Sequence, residues 1–156
     1  MSANKQPSRS RSGNLRRAAN RASTKSPKPT KWPTKVEVKI GINPSGEFYY
    51  DINGVISASG GANAGNIDIR NDGGKSLLVF SSDPRSAVPV LALAVTIDPL
   101  KVKGTKLAPF GFAVGPKTIT FKIPSKAQKD DEYTYSVVAF AANATYSVDP
   151  KLRIYN

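Results

Sequence analysis

The side chains that could do chemistry in this 156-residue chain are few, because it contains neither histidine nor cysteine. Without histidine, the commonest general base and metal ligand are absent, and mechanisms of the Ser-His-Asp or Cys-His type are excluded. Without cysteine, thiol catalysis, disulfides and thiolate metal sites are excluded as well. Carboxylates and a large set of basic side chains remain. This composition argues against an enzyme, and we expect no bound cofactor.

The basic side chains are concentrated at the N-terminus. Ten of the 23 lysines and arginines lie in residues 1–35, which contain no aspartate or glutamate. Residues 36–156 hold the other 13 against all 11 carboxylates, a net charge of +2. Such an arm predicts binding to nucleic-acid phosphates, without sequence preference because no base-reading motif is present. The candidate nucleic-acid-binding residues are Lys5, Arg9, Arg11, Arg16, Arg17, Arg21, Lys25, Lys28 and Lys31.

Two other interpretations of the basic arm stay open. A solvated basic tail can serve as a nuclear import signal. An Arg- and Ser-rich segment without acidic residues also resembles a mitochondrial transit peptide, although the prolines from Pro27 onward leave no amphipathic helix of useful length. The start of the chain lacks the apolar stretch of a secretory signal. No apolar run approaches the ~20 residues of a membrane helix, so we expect no membrane partner.

Two smaller features outside the basic run could also bind a ligand. Asp130, Asp131 and Glu132 are adjacent carboxylates that could coordinate calcium, but their spacing is not that of a calcium loop, so a solvated turn is favoured. Trp32 is the single tryptophan and could stack on a base. We favour the interpretation that it packs on the edge of the folded domain, because tryptophan readily serves as a buried anchor.

The elements that must position these residues are predicted to be strands. Residues 1–34 offer few side chains to a core and are predicted to be a disordered arm, with one domain over residues 35–156. In that domain, runs such as KVEVKI and KTITFKI alternate apolar and polar residues, and turn signals separate them. The continuous runs KSLLVFSS and PVLALAVTI are expected to be strands that are buried on both faces or lie deep in a sandwich.

About nine such strands without a helical period predict an all-β fold. The pattern favours a single antiparallel β-sandwich, and it fits a jelly roll and an immunoglobulin-like topology equally well.

The arm sequence SRSRSGNLRRAANRAS (residues 8–23), a proline-containing connector and one all-β domain together resemble coat proteins of small icosahedral RNA viruses, including plant satellite viruses. The resemblance implies a jelly roll, which we therefore favour over the immunoglobulin-like alternative. The same resemblance implies a shell of many copies of the chain, with RNA as the favoured nucleic acid and the arms pointing inward to the genome. It also implies a location in the virion, after assembly in the host cytoplasm.

A second resemblance lies at the C-terminal end. The segments DEYTYSVVAF and YSVDPKLRIYN are similar to the last strands of small bacterial immunoglobulin-like or cupredoxin-like domains. Copper binding is excluded by the absence of histidine and cysteine. This resemblance implies a β-sandwich binding protein with a polyanion-binding tail, associated with the nucleoid or with chromatin in the nucleus.

Overall fold

The structure, a computed structural model, describes residues 31–61, 63–142, 144–148 and 150–155. These residues form strands and connecting turns, with no helix among them, so the predicted all-β sandwich with its two sheets is confirmed. The part of the chain so described accordingly contains no helix that could cross a membrane. The strands are β1 (Lys35–Ile42), β2 (Phe48–Ile52), β3 (Val55–Ala58), β4 (Ile67–Arg70), β5 (Leu77–Ser82), β6 (Val90–Lys101), β7 (Phe110–Val114), β8 (Ile119–Lys122), β9 (Glu132–Ala141), β10 (Thr145–Val148) and β11 (Lys151–Tyr155).

The strands form two sheets that face each other. Sheet A has the order β3-β2-β1-β5-β8, and sheet B has the order β4-β11-β9-β6-β7. Strand β10 also pairs with β9, next to the C-terminal half of that strand, and β11 pairs with its N-terminal half. Strands β7 and β4 are therefore the two edges of sheet B.

Two of the nine strand pairings found among the described residues are parallel, namely β1 with β5 and β4 with β11. The other seven are antiparallel, as the sequence predicts for the whole domain. A Greek key consists of antiparallel strands, and a jelly roll consists of two Greek keys. The two parallel pairings are thus features that the favoured jelly-roll topology does not contain.

The core forms because alternate residues of each strand point between the sheets. In β1 the buried residues Val38 and Ile40 alternate with solvent-facing positions, as the sequence pattern predicts. The ring of Phe80 on sheet A packs against Phe121 of the same sheet at a centroid distance of 6.0 Å, and against Tyr135 of sheet B at 5.3 Å. Aromatic contacts thus join the two layers in the middle of the sandwich.

Candidate functional surfaces

The point where the basic arm meets the folded body is fixed by three residues. The Trp32 ring stacks on Tyr155 of β11, with centroids 4.4 Å apart and planes inclined by 23°. The carbonyl oxygen of Pro33 accepts a hydrogen bond from the amide of Arg70 at 2.8 Å, and that of Thr34 accepts one from Leu77 at 2.9 Å. Trp32 therefore packs on the domain edge, which agrees with the interpretation that we favoured. Residues 32–34, assigned to the arm from sequence, are held to the body.

The arm enters the body at the β4–β11 edge of sheet B, and its first described residue, Lys31, is exposed. The other candidate nucleic-acid-binding residues lie outside the described part of the chain, as do residues 1–30 of the segment predicted to be disordered. These candidates are Lys5, Arg9, Arg11, Arg16, Arg17, Arg21, Lys25 and Lys28.

The body surface next to this entry point carries charges of both signs. Arg153 forms an ion pair with Glu132 at 2.8 Å, and its pKa is raised, first by the Tyr155 hydroxyl and then by Glu132. A depression of about 470 Å³ beside the pair is lined by Ile67 and Leu152 and by polar residues that include Asp68 and Lys151. Because cations and carboxylates alternate here, this surface offers phosphates much less attraction than the arm does.

The three adjacent carboxylates do not converge on one point. Asp131 is buried and accepts hydrogen bonds from the amides of Lys103 at 2.8 Å and Gln128 at 2.9 Å. Glu132 is paired with Arg153, and Asp130 is an exposed residue with a φ of 66°. Over the described ranges, no three acidic side chains are grouped so that they could hold a metal ion. Asp131 instead ties two loops together, so these carboxylates do not form the calcium site considered from the sequence, and Asp131 does not lie in a solvated turn.

A charged cluster on sheet A was missed by the sequence analysis. Arg85 donates hydrogen bonds to Asp83 at 2.7 Å and, from the same nitrogen, to Asp51. Both carboxylates are buried, and the Tyr49 hydroxyl also interacts with Asp83. Tyr49 lies so close over Gly41 that a Cβ there would come within 2.3 Å of its ring. The residues come from separate parts of the chain, and only the strand pairing brings them together.

The electrostatics of this cluster fit a structural role. The hydrogen bond from Arg85 is the main cause that lowers the pKa of Asp83 below its ordinary value. Hydrogen bonds to Asp83 and Asp51 raise the pKa of Arg85, and burial raises that of Tyr49. Asp83 is thus held ionised while Arg85 and Tyr49 are held protonated, so none of these three exchanges protons near neutral pH. The cluster clamps β2 to the loop that follows β5.

A contiguous exposed apolar surface lies on the outside of sheet B. Its side chains point to solvent from three neighbouring strands, and we call them the apolar face: Phe110, Phe112 and Val114 of β7, Ala92 and Ala94 of β6, and Val138 and Phe140 of β9. Phe110, Phe112 and Val114 are 61%, 55% and 57% exposed. Contiguous apolar surface of this kind marks an interaction site more often than isolated exposed residues do.

The apolar face also decides between the two environments expected for PVLALAVTI, because the strand lies inside sheet B and is buried on one side only. In β6, Leu93 and Val95 are buried, whereas Ala92 and Ala94 are partly exposed on the outer surface. The continuous apolar run therefore combines a core-facing side with a side that belongs to this outer surface.

Comparison with known proteins adds no family to this description. No family model matches the chain, and no curated protein is similar to it in sequence. Among solved structures, the multicopper oxidase McoA from the hyperthermophile Aquifex aeolicus is similar over 82% of this chain, with 10% identity and a TM-score of 0.33. The matched region spans 31% of the length of that oxidase.

Proposed function

We propose that the chain is a non-enzymatic structural protein whose folded body associates with copies of itself and whose basic arm binds nucleic acid. The observation that supports this is the uneven distribution of charge and apolar surface along the chain. Residues 1–35 hold ten cations without a carboxylate, whereas the body is nearly neutral and presents an uncharged apolar face. Neutralisation of the arm by nucleic acid would lower repulsion between copies, and the bodies would then be free to pack.

The specific form that we propose is a coat protein that forms a shell and packages RNA. In such a shell the arm would bind phosphates without reading bases, since counterion release supplies the affinity. The clamped entry of the arm at Trp32 is consistent with an arm that begins at a fixed point on each subunit.

The second candidate is a β-sandwich binding protein that uses its arm as a tail on nucleoid or chromatin nucleic acid. The parallel pairings β1–β5 and β4–β11 favour it, because they distinguish this sandwich from a jelly-roll shell subunit. Both candidates share the arm and differ in whether the bodies form a closed assembly.

The arm is tested by the salt dependence of affinity for a 30-nucleotide single-stranded RNA, measured by fluorescence anisotropy. Each phosphate contact on a single strand contributes about −0.7 to the slope of log K against log salt. The variant R16A/R17A/R21A should therefore flatten the slope by about 2. The matched control K101A/K103A/K106A removes three exposed cations from the body and should leave the slope unchanged. Equal slopes for the two variants would contradict the proposal.

The assembly is tested by light scattering and negative-stain microscopy of the full chain with and without RNA. Closed particles of uniform diameter would support the coat protein. RNA-bound particles without a closed shell would favour the second candidate. A protein that stays monomeric at high concentration with RNA present would rule out self-assembly.

A further inference from the structure

Strand β7 is inverted relative to an ordinary edge strand of a sandwich. Its large side chains, Phe110 and Phe112, face solvent, while Gly111 and Ala113 face the core. The small residues are required there, because a Cβ at Gly111 would lie 2.3 Å from Cγ2 of Ile119 on sheet A. A strand that places its smallest residues inside and its largest apolar residues outside leaves its main hydrophobic surface to be buried by something other than this domain.

The outer surface at this place has the shape of a ridge beside a groove. Along β6, Ala94 lies between Phe112 of β7 and Val138 of β9, and Ala92 lies between Val114 and Phe140. Neighbouring strands are about 4.8 Å apart, so the groove over the two alanines is roughly 10 Å wide between its flanking strands. A row of side chains from an opposing surface fits there, and the Phe110–Phe112–Val114 ridge is itself such a row.

This shape is self-complementary. When two copies face each other across a twofold axis, the β7 ridge of each enters the alanine groove of the other, and each contact occurs twice. The face contains no ionisable group, and the body carries a net charge of only +2, so two bodies meet without strong repulsion. The arm of the same chain is a poor candidate to cover the apolar face, because it is densely charged. Its one tryptophan is also already stacked on Tyr155, near the opposite edge of sheet B.

We propose that the apolar face is the contact through which two copies of this chain form a twofold-symmetric pair, an inference that rests on the self-association in the proposed function. A whole phenylalanine has about 200 Å² of surface. From their exposed fractions, Phe110, Phe112 and Phe140 together leave about 300 Å² of aromatic surface in contact with water. That area suits the apolar centre of an interface whose polar rim brings each partner to about 800 Å².

The first test compares F112E with the matched control T120E, which places the same charge at an exposed position on the outer side of sheet A. Sedimentation velocity on the full chain, without RNA and in 0.5 M salt, measures the dissociation constant of the pair. We expect F112E to weaken association at least 100-fold and T120E to leave it unchanged. Circular dichroism confirms that both variants fold. A monomeric wild type, or equal effects of the two substitutions, would overturn the proposal.

The second test uses the absence of native cysteine. A94C and F112C are prepared separately, mixed and treated with a short bismaleimide, because cysteines on two facing sheets about 10 Å apart are too distant for a direct disulfide. In the proposed pair Phe112 of one copy lies over Ala94 of the other, so a cross-link between the two variants should form preferentially. A mixture of A94C with T120C provides the background, and cross-linking no better than this background overturns the proposal. Flotation with phosphatidylcholine vesicles tests whether the apolar face binds a membrane surface instead. If the wild type is monomeric and binds vesicles, and F112E abolishes that binding, the face is assigned to a membrane.

The two proposals fail separately. RNA affinity and its salt slope are measured for F112E as for the wild type. If F112E dissociates but keeps the slope, the face serves association and the arm serves RNA binding, as proposed. If the face fails its tests while the arm variants still lose RNA, only the inference about the face is wrong.

Discussion

The outer surfaces of the two sheets differ although both belong to the same sandwich. On sheet A, β1 presents Lys35, Glu37 and Lys39, and β8 presents Thr120 and Lys122 to solvent. On sheet B, the half formed by β7, β6 and the end of β9 presents phenylalanine, valine and alanine instead. Antiparallel sheets commonly alternate apolar and polar residues so that one side meets water. Strands β1 and β8 of sheet A follow that rule, although Val55 and Ile56 of β3 are also exposed. The departure on sheet B involves three neighbouring strands and supports the self-association that we propose.

Substitutions on the two surfaces should also affect different properties of the protein. Sheet A carries the clamp of Asp51, Asp83 and Arg85, whose carboxylates are buried and mutually bridged by one guanidinium. On the apolar face of sheet B, by contrast, the large side chains of Phe110, Phe112 and Phe140 are exposed and contribute little to the core. Changes on sheet A should thus lower stability, and changes on the apolar face should lower association.

The largest expected effect follows from making the apolar face resemble the surface of sheet A. The variant F110T/F112T/F140T replaces exposed rings by residues that suit strands and meet water readily. We expect dissociation of the self-associated protein to rise by more than 100-fold, with a melting temperature within about 3 °C of the wild type, because little core surface is lost. Sedimentation equilibrium and thermal melting measure the two quantities. A protein that unfolds would show that these rings belong to the core.

On sheet A, we expect D83N to lower the free energy of unfolding and to leave association unchanged. Removal of this charge weakens hydrogen bonds to Arg85, and such charge-assisted bonds contribute about 2 kcal/mol to the free energy of unfolding. Urea unfolding at pH 7 measures the difference.

The pH dependence of the same variant has a definite sign. The folded pKa of Asp83 lies below its unfolded value, so its stabilisation is present above about pH 4 and is lost as the pH falls through the folded pKa. D83N should therefore approach the wild type in stability as the pH falls below the folded pKa of Asp83. A constant difference between the two proteins from pH 7 to pH 3 would contradict this account of the clamp.

A smaller effect is expected where the two sheets meet beneath the apolar face. G111A would place a methyl group against Ile119. The protein must shift to accommodate this overpacking, which should lower the free energy of unfolding by about 1–2 kcal/mol. The control G60A adds the same atom where nothing lies within 4 Å and should leave stability unchanged. Urea unfolding distinguishes them, and equal stabilities would show that β7 is not packed tightly on β8.

Much of the fold could be predicted because a strand with one buried face alternates apolar and polar residues along the sequence. KVEVKI and KTITFKI contain strands with the predicted inward faces. Strand β3 was not predicted, although Asn53-Gly54 before it is a strong hairpin signal, and both residues adopt the positive φ that such a turn requires. Strand β7 was not predicted either, although FGFAV alternates large and small residues.

The functional surfaces were harder to predict, since they depend on which strands become neighbours. Nothing local links Asp51 with Arg85, 34 positions away. The apolar face likewise needs β7, β6 and β9 side by side, and β9 follows β6 only after two intervening strands. By contrast, the packing of Trp32 at the domain edge could be predicted, because it depends on the character of one residue next to the first strand.

The smallest effect is expected for E37Q on the polar surface of sheet A. Glu37 forms an ion pair with Lys35 at 2.6 Å, and its pKa is lowered chiefly by that hydrogen bond. Both side chains are about half exposed, so water and salt screen their attraction, unlike that of the buried carboxylates in the clamp. The melting temperature of E37Q in 0.15 M salt should match the wild type within about 1 °C. A drop as large as that of D83N would mean that sheet A is stabilised by its whole charged surface and not by the clamp alone.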